Sequence, residues 1–232
     1  MRFKKKIVMK RLLFFLTFLN SLTLTAQEKN SSEFLPTISD IDGNTYKIVE
    51  IGQQYWMQSN LKVSRYRNGD SIPTGLLDSI WSKFTKGAAA QFENKFSNES
   101  IYGKLYNWYA VNDPKGLCPE GWHIPTNSEW NQLINQLGEK SVAGGKMKSK
   151  GTNFWKSPNK KATNESGFSA LPGGCRNEEG DFSSLNIIAF FWSRTESTFG
   201  KAVFWSLINS SSSVIKYEDY KSVGFSVRCL RD

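Results

Sequence analysis

Cys118, Cys175, Cys229 and His123 supply all the thiol and imidazole chemistry of this chain. Zinc is normally held by clusters of such residues, and one imidazole does not make a cluster. His123 lies between Trp122 and Ile124-Pro125 and reads as a hydrogen-bonded structural ring. Asp40, Asp42 and Asn44 alternate as calcium ligands do, but no Glu follows at the distance a full calcium loop requires. That cluster reads as a turn. No cofactor is implied, and no set of residues suits an enzyme. Aromatic and charged residues late in the chain are the better candidates: Phe182, Trp192, Arg194, Glu196 and Trp205. Exposed Trp can stack on sugar rings or anchor a protein partner. The competing reading, that strand-embedded rings fill the core, weighs more heavily on Trp192 and Trp205 than on Arg194 and Glu196. Asn177-Glu178-Glu179-Gly180-Asp181 is an acidic turn that either rims a site or is simply solvated.

The elements that must position these residues follow from local pattern. Thr45 to Ile51 alternates and is rich in β-branched residues, Gly52-Gln53 turns the chain, and Gln54 to Met57 returns, which predicts a hairpin. Residues 62–100 show no sustained period and read as a long irregular stretch, with one helical turn around Ser79 to Phe84. After Pro125, Thr126 and Glu129 have the spacing of a capping box. Trp130, Leu133, Ile134 and Leu137 then share one helical face, and Gly138 ends the helix. A second helix is expected over Val142 to Lys150, weakened by Gly144-Gly145. Short strands are expected at Phe168–Leu171, Phe190–Ser193, Ala202–Leu207, Ser213–Tyr217 and Gly224–Leu230. Strands on both sides of a helical middle predict an α+β fold with an antiparallel sheet.

The first residues bear on compartment. Arg2, Lys4, Lys5, Lys6, Lys10 and Arg11 precede the apolar run Leu12–Leu19, and a polar stretch ends at Ala26-Gln27. This is the pattern of a secretory signal peptide over residues 1–26. The run is shorter than the roughly 20 residues of a membrane span, so no span is expected once the leader is removed. Residues 27–37 read as a polar tether and 38–232 as the domain. The whole chain carries +9, from 30 basic and 21 acidic residues. Without the six basic residues of the leader the balance is 24 against 21, or +3. A nucleic-acid partner needs a dense basic face, and this balance offers none. Three cysteines in an exported chain imply one bridge and a spare thiol, or an intermolecular bond, and spacing alone does not choose the pair.

Several blocks resemble a known family. Asp40 to Lys47, Ile51 to Met57, Tyr102 to Val111, Cys118 to Thr126, Ala143 to Lys148, Asn164 to Phe168, Leu171 to Gly174 and Gly224 to Cys229 are similar, in order, to the Fibrobacter succinogenes major paralogous domain. The resemblance covers about residues 38–232. It implies an exported or surface-associated protein with a C-type-lectin-like fold, like that of formylglycine-generating-type domains. The expected architecture is a small antiparallel sheet that joins the termini, two helices and long irregular loops. It also implies a Cys118–Cys229 disulfide, leaving Cys175 as a buried spare thiol. Formylglycine-generating enzymes use two reactive cysteines, and only one would remain here. A Cys175–His123 nucleophilic pair would need a third residue to orient the ring, and none is identifiable. The calcium triplets of lectins are missing, the comparable strand reading Trp205-Ser206-Leu207. The expectation is a non-catalytic binding module of the envelope or exterior, its partner a glycan or a surface protein. The alternatives are a structural envelope protein and an enzyme with an unseen cofactor.

Overall fold

The computed structural model describes residues 36–232, so the leader expected over residues 1–26 lies outside the described residues. The elements in order are β1 (Thr37–Ser39), β2 (Thr45–Ile51), β3 (Gln54–Met57), α1 (Asp78–Trp81), β4 (Ala89–Ala90), a 3-10 turn (Phe92–Asn94), α2 (Phe96–Tyr102), β5 (Leu105–Asn107), α3 (Trp108–Val111), β6 (Trp122–His123), α4 (Asn127–Gln136) and α5 (Lys140–Met147). The second half is almost all strand: β7 (Gly173–Arg176), β8 (Phe182–Leu185), β9 (Ile188–Glu196), β10 (Lys201–Ile208), β11 (Val214–Tyr220), β12 (Gly224–Ser226) and β13 (Leu230–Arg231). The α+β expectation holds, with two differences: the described residues form five helices where two were expected, and the sheet is larger. In place of one small sheet there are a five-stranded sheet, ordered β1-β2-β3-β13-β6, and an eight-stranded one that runs β11-β10-β9-β7-β12-β5-β4 with β8 on β7. The pairings are antiparallel except for single parallel bridges from β9 to β7 and to β12.

The five-stranded sheet joins the two ends of the domain, because Leu230 of β13 pairs with Trp56 of β3 and with His123 of β6. The disulfide Cys118–Cys229 fastens the same place from inside, spanning 111 residues of chain, while Cys175 is free and buried. A loop that long, closed covalently, is worth about 5 kcal/mol in the chain-entropy model.

The capping box is present as the sequence predicts. Glu129 N donates to Thr126 Oγ1 and Thr126 N donates to Glu129 Oε2 at 2.7 Å. The face of α4 buries Trp130, Leu133 and Ile134. Trp130 meets the rings of Trp56, Phe168, Phe191 and Trp205 at centroid distances from 5.0 to 6.3 Å. Each such pair contributes about 0.5–1.5 kcal/mol beyond area burial, so these rings bind helix to sheet. The Gly144-Gly145 pair that weakens α5 on propensity is what lets it dock. A Cβ on Gly144 would lie 2.5 Å from Ser213 O, and one on Gly145 2.5 Å from Lys161 O.

Candidate functional site

The helix α3 begins at a well-tied cap. Asn107 Oδ1 accepts from Ala110 N at 3.1 Å and from Ala88 N at 2.9 Å, and its Nδ2 donates to Lys86 O at 2.8 Å. One side chain therefore fixes both the start of the helix and the Lys86–Ala88 segment facing it. Between these walls lies a cleft of about 560 Å³, bounded by Tyr66, Lys86, Trp108, Tyr109, Asp113, Lys115 and Lys221 among others. A second hollow of about 240 Å³ adjoins it. Asp113 and Pro114 line both, and Arg67, His123 and Arg194 complete the second.

Two of the rings at the cleft carry an ammonium group held by a carboxylate. Lys221 Nζ lies 4.8 Å from the Trp108 centroid and 2.5 Å from Glu196 Oε1. Lys115 Nζ lies 5.6 Å from the Tyr66 centroid and 2.8 Å from Asp70 Oδ2. Burial, then the nearby charge of Asp113, pushes the Tyr66 phenol well above its ordinary value, so it stays neutral. Lys86 is exposed and forms no ion pair among the described residues, and the same holds for Arg194. Arg67 spends its guanidinium on carbonyls, Nε on Cys118 O and Nη2 on Trp122 O. Five cations line the two hollows (Lys86, Lys115, Lys221, Arg67 and Arg194) with one carboxylate, Asp113; beside them Asp70 and Glu196 pair with Lys115 and Lys221, and Glu129 and Asp232 with His123.

The sequence candidates divide. Arg194 lines the second hollow, and Glu196 holds Lys221 at the first, so these two sit at the site. Trp192 and Trp205 do not. Both are fully buried, Trp192 with its indole donating to Tyr106 O at 2.8 Å and its ring 4.6 Å from Phe225, Trp205 stacked on Trp130. Neither ring is open to a ligand, because the β9–β10 pair is covered on both faces, Trp192 packing with Phe204 in one core cluster and Trp205 with Phe191 in another. Phe182 lies elsewhere, half-buried against Phe92 at 5.3 Å and the Arg176 guanidinium at 4.9 Å. Sequence reasoning missed Tyr66 and Lys86, which fall in the stretch without period. It also missed Trp108, Tyr109, Asp113 and Lys115, although Asn107 three residues before Ala110 is a readable helix cap.

His123 is the structural ring expected, with Nε2 2.9 Å from Glu129 Oε1 and Nδ1 2.6 Å from Asp232 Oδ1. It links the start of α4 to the chain end. Asp40 is likewise a turn residue, its Oδ1 accepting from Asp42 N and Asn44 N and its Oδ2 from the Tyr46 hydroxyl at 2.6 Å. Among the described residues no three of His, Cys, Asp and Glu converge as metal ligands, and no helix is long and apolar enough to cross a membrane.

No curated protein and no solved structure matches the chain. The family model described as the Fibrobacter succinogenes major domain matches residues 49–231. The match takes in the eight-stranded sheet, the five-stranded sheet apart from β1 and the start of β2, the α4–α5 region and the whole of the two-hollow site, and the chain belongs to the Fibrobacter succinogenes major domain family.

Proposed function

We propose that this protein is an exported, non-catalytic binding module of the cell envelope or exterior, and that its twin hollows take an acidic glycan. The reading rests on one observation above all. Trp108, Tyr109 and Tyr66 line a cleft of about 560 Å³ that, with the adjoining hollow, is lined by five cations and one carboxylate, Asp113. Mixed charges and an open ring suit a sugar chain, with an apolar sugar face against the half-buried Tyr109, over a floor formed by the buried Trp108 and Tyr66, and hydroxyls on Asp113 and Asn112. Two cations without an acidic partner, Lys86 and Arg194, flank the shared Asp113–Pro114 wall and suit carboxylates on successive sugars. Export is supported by the basic-then-apolar start and by the Cys118–Cys229 bridge, which persists in oxidising compartments. The union of both chain ends on one sheet beside that bridge supports the C-type-lectin-like reading of the fold.

The test is calorimetric titration of the purified protein with uronic-acid oligosaccharides and with neutral oligosaccharides of equal length. Binding is expected for the acidic series alone, weakening as salt rises. Lys86→Glu and Arg194→Glu should each weaken it about tenfold or more, since each replaces an attraction by a repulsion at an exposed position. Equal binding of both series, or none of either, would sink the assignment.

A further inference from the structure

The strand β11 forms one edge of the eight-stranded sheet, paired to β10 on its inner side only. No backbone hydrogen bond outside that ladder involves residues 215–219. Helix α5 meets the chain at Ser212-Ser213 and packs against the start of β11, where Val214 is buried. From Ile215 to Tyr220 the edge is open, with Ile215 36%, Tyr217 54% and Tyr220 49% exposed. Edges of this kind are commonly protected by charge, and Lys216 and Glu218 at first sight do that. Their signs and spacing give another result.

We propose that β11 pairs with β11 of a second copy, antiparallel and centred on Tyr217. A twofold axis perpendicular to the sheet keeps each face on its own side, so residues of like parity oppose each other. Centred on Tyr217, Lys216 opposes Glu218 of the second copy and Glu218 opposes its Lys216, giving two ion pairs on one face. On the other face Tyr217 meets its own counterpart, an aromatic cross-strand pair. The neighbouring registers are excluded by charge. Centring on Lys216 sets Lys against Lys, and centring on Glu218 sets Glu against Glu. The occupant is therefore a second copy, selected by a self-complementary edge. A contact of five paired residues, roughly 17 Å long and one strand wide, is too narrow to bury the ~1,200–2,000 Å² of stable complexes, so the dimer belongs to the reversible class. Two copies would offer two glycan sites on one particle, although this pairing stands independently of what the hollows bind.

Sedimentation equilibrium of the purified protein from about 10 μM to about 1 mM tests the pairing. A concentration-dependent dimer is expected for the native chain. Lys216→Glu and Glu218→Lys should each weaken it about tenfold or more, by setting like charges opposite one another twice over. The double variant K216E/E218K restores the pattern with signs exchanged and should recover native dimerisation to within about threefold. Both positions are exposed, and unchanged melting of each variant would confirm an intact fold. A native protein that stays monomeric throughout overturns the proposal and leaves the edge to a different chain. A dimer indifferent to the single changes, or not recovered by the double one, overturns it too.

Discussion

The Lys221 ammonium sits over the indole of Trp108, 4.8 Å from its centroid, while the backbone carbonyl of Lys221 accepts from Trp108 N at 2.8 Å. One residue thus holds the other from two directions, and Glu196 steadies the ammonium. Lys221→Ala should remove the cation over the ring but not the backbone bond. The expected cost is about 1 kcal/mol in urea unfolding, typical of a partly buried cation over Trp. Quenching of tryptophan fluorescence by acrylamide should rise as well, because the cover of Trp108 is gone. Unchanged quenching would show that the lysine does not shield the cleft.

Gly87 sets the position of the opposite wall. A Cβ there would lie 1.9 Å from the Tyr66 hydroxyl oxygen and 3.0 Å from Ala110 Cα. Gly87→Ala should displace the Tyr66 phenol and cost about 1–3 kcal/mol, the usual penalty of overpacking. Tyr66→Phe removes the nearest atom of the clash. The double variant G87A/Y66F should therefore regain much of the loss in thermal melting. Strict additivity of the two losses would mean that the clash lies elsewhere.

What could be read from sequence depended on whether a residue's partners were near in the chain. The capping box at Thr126 and the 45–57 hairpin need only neighbours, and both are present as expected. The segment Phe168–Leu171 looks like a strand, yet Ser169 has φ of 54° and only Ala170 bridges, to Lys148. Ala170 N donates to Met147 O, Ala170 O accepts from Ser149 N, and Ser169 N donates to Asn164 Oδ1, bonds that no strand propensity reports. Helix α2 was hidden because Phe96, Ile101 and Tyr102 show no helical period, two of them being exposed. The strand expected over Gly224–Leu230 divides between two sheets around Arg228. The site suffered most: its walls come from six separate stretches, and of the candidates only Arg194 and Glu196 reach it.

The bridge should carry a large share of stability. Cys118→Ser paired with Cys229→Ser opens a loop of 111 residues, and the expected loss is about 5 kcal/mol in the chain-entropy model. Unfolding in denaturant with and without reductant checks it. The native protein in reductant should then match the double variant, and a reductant effect under about 1 kcal/mol would contradict it.

Acid should weaken the link between α4 and the chain end. Burial opposes ionisation of Glu129, but hydrogen bonds from Thr126 and the contact with His123 outweigh it and hold the carboxyl below its ordinary 4.5. A folded-state value below the unfolded one means that the charged form adds stability at pH above about 4.5, and that this is lost as pH falls through the folded value. Glu129→Gln should cost about 1 kcal/mol near neutrality, in the range of helix-cap losses. The gap between native and variant unfolding free energies should close in acid. A gap that persists there would assign the cost to packing.

Arg228 lies fully buried in the closing motif of the chain, where sequence alone would place a surface charge. Nε and Nη2 donate to Asn60 Oδ1 at 3.1 and 2.7 Å, and Nη1 donates to Met57 O at 3.1 Å and Phe168 O at 2.6 Å. The guanidinium carbon is 4.3 Å from the Phe168 centroid. No carboxylate pairs with it among the described residues, so the fork of donors and the ring face must offset its desolvation. Lysine has a point charge and no planar fork, and Arg228→Lys should cost about 2–4 kcal/mol as bonds to Asn60 or the carbonyls are lost. Arg228→Met removes the charge but leaves three buried acceptors without this donor, at about 1–3 kcal/mol each where no other donor replaces it. It should therefore cost at least as much as the lysine change in urea unfolding. If the methionine variant were as stable as the native protein, the fork would be dispensable and shape alone would hold Asn60, Met57 and Phe168 together.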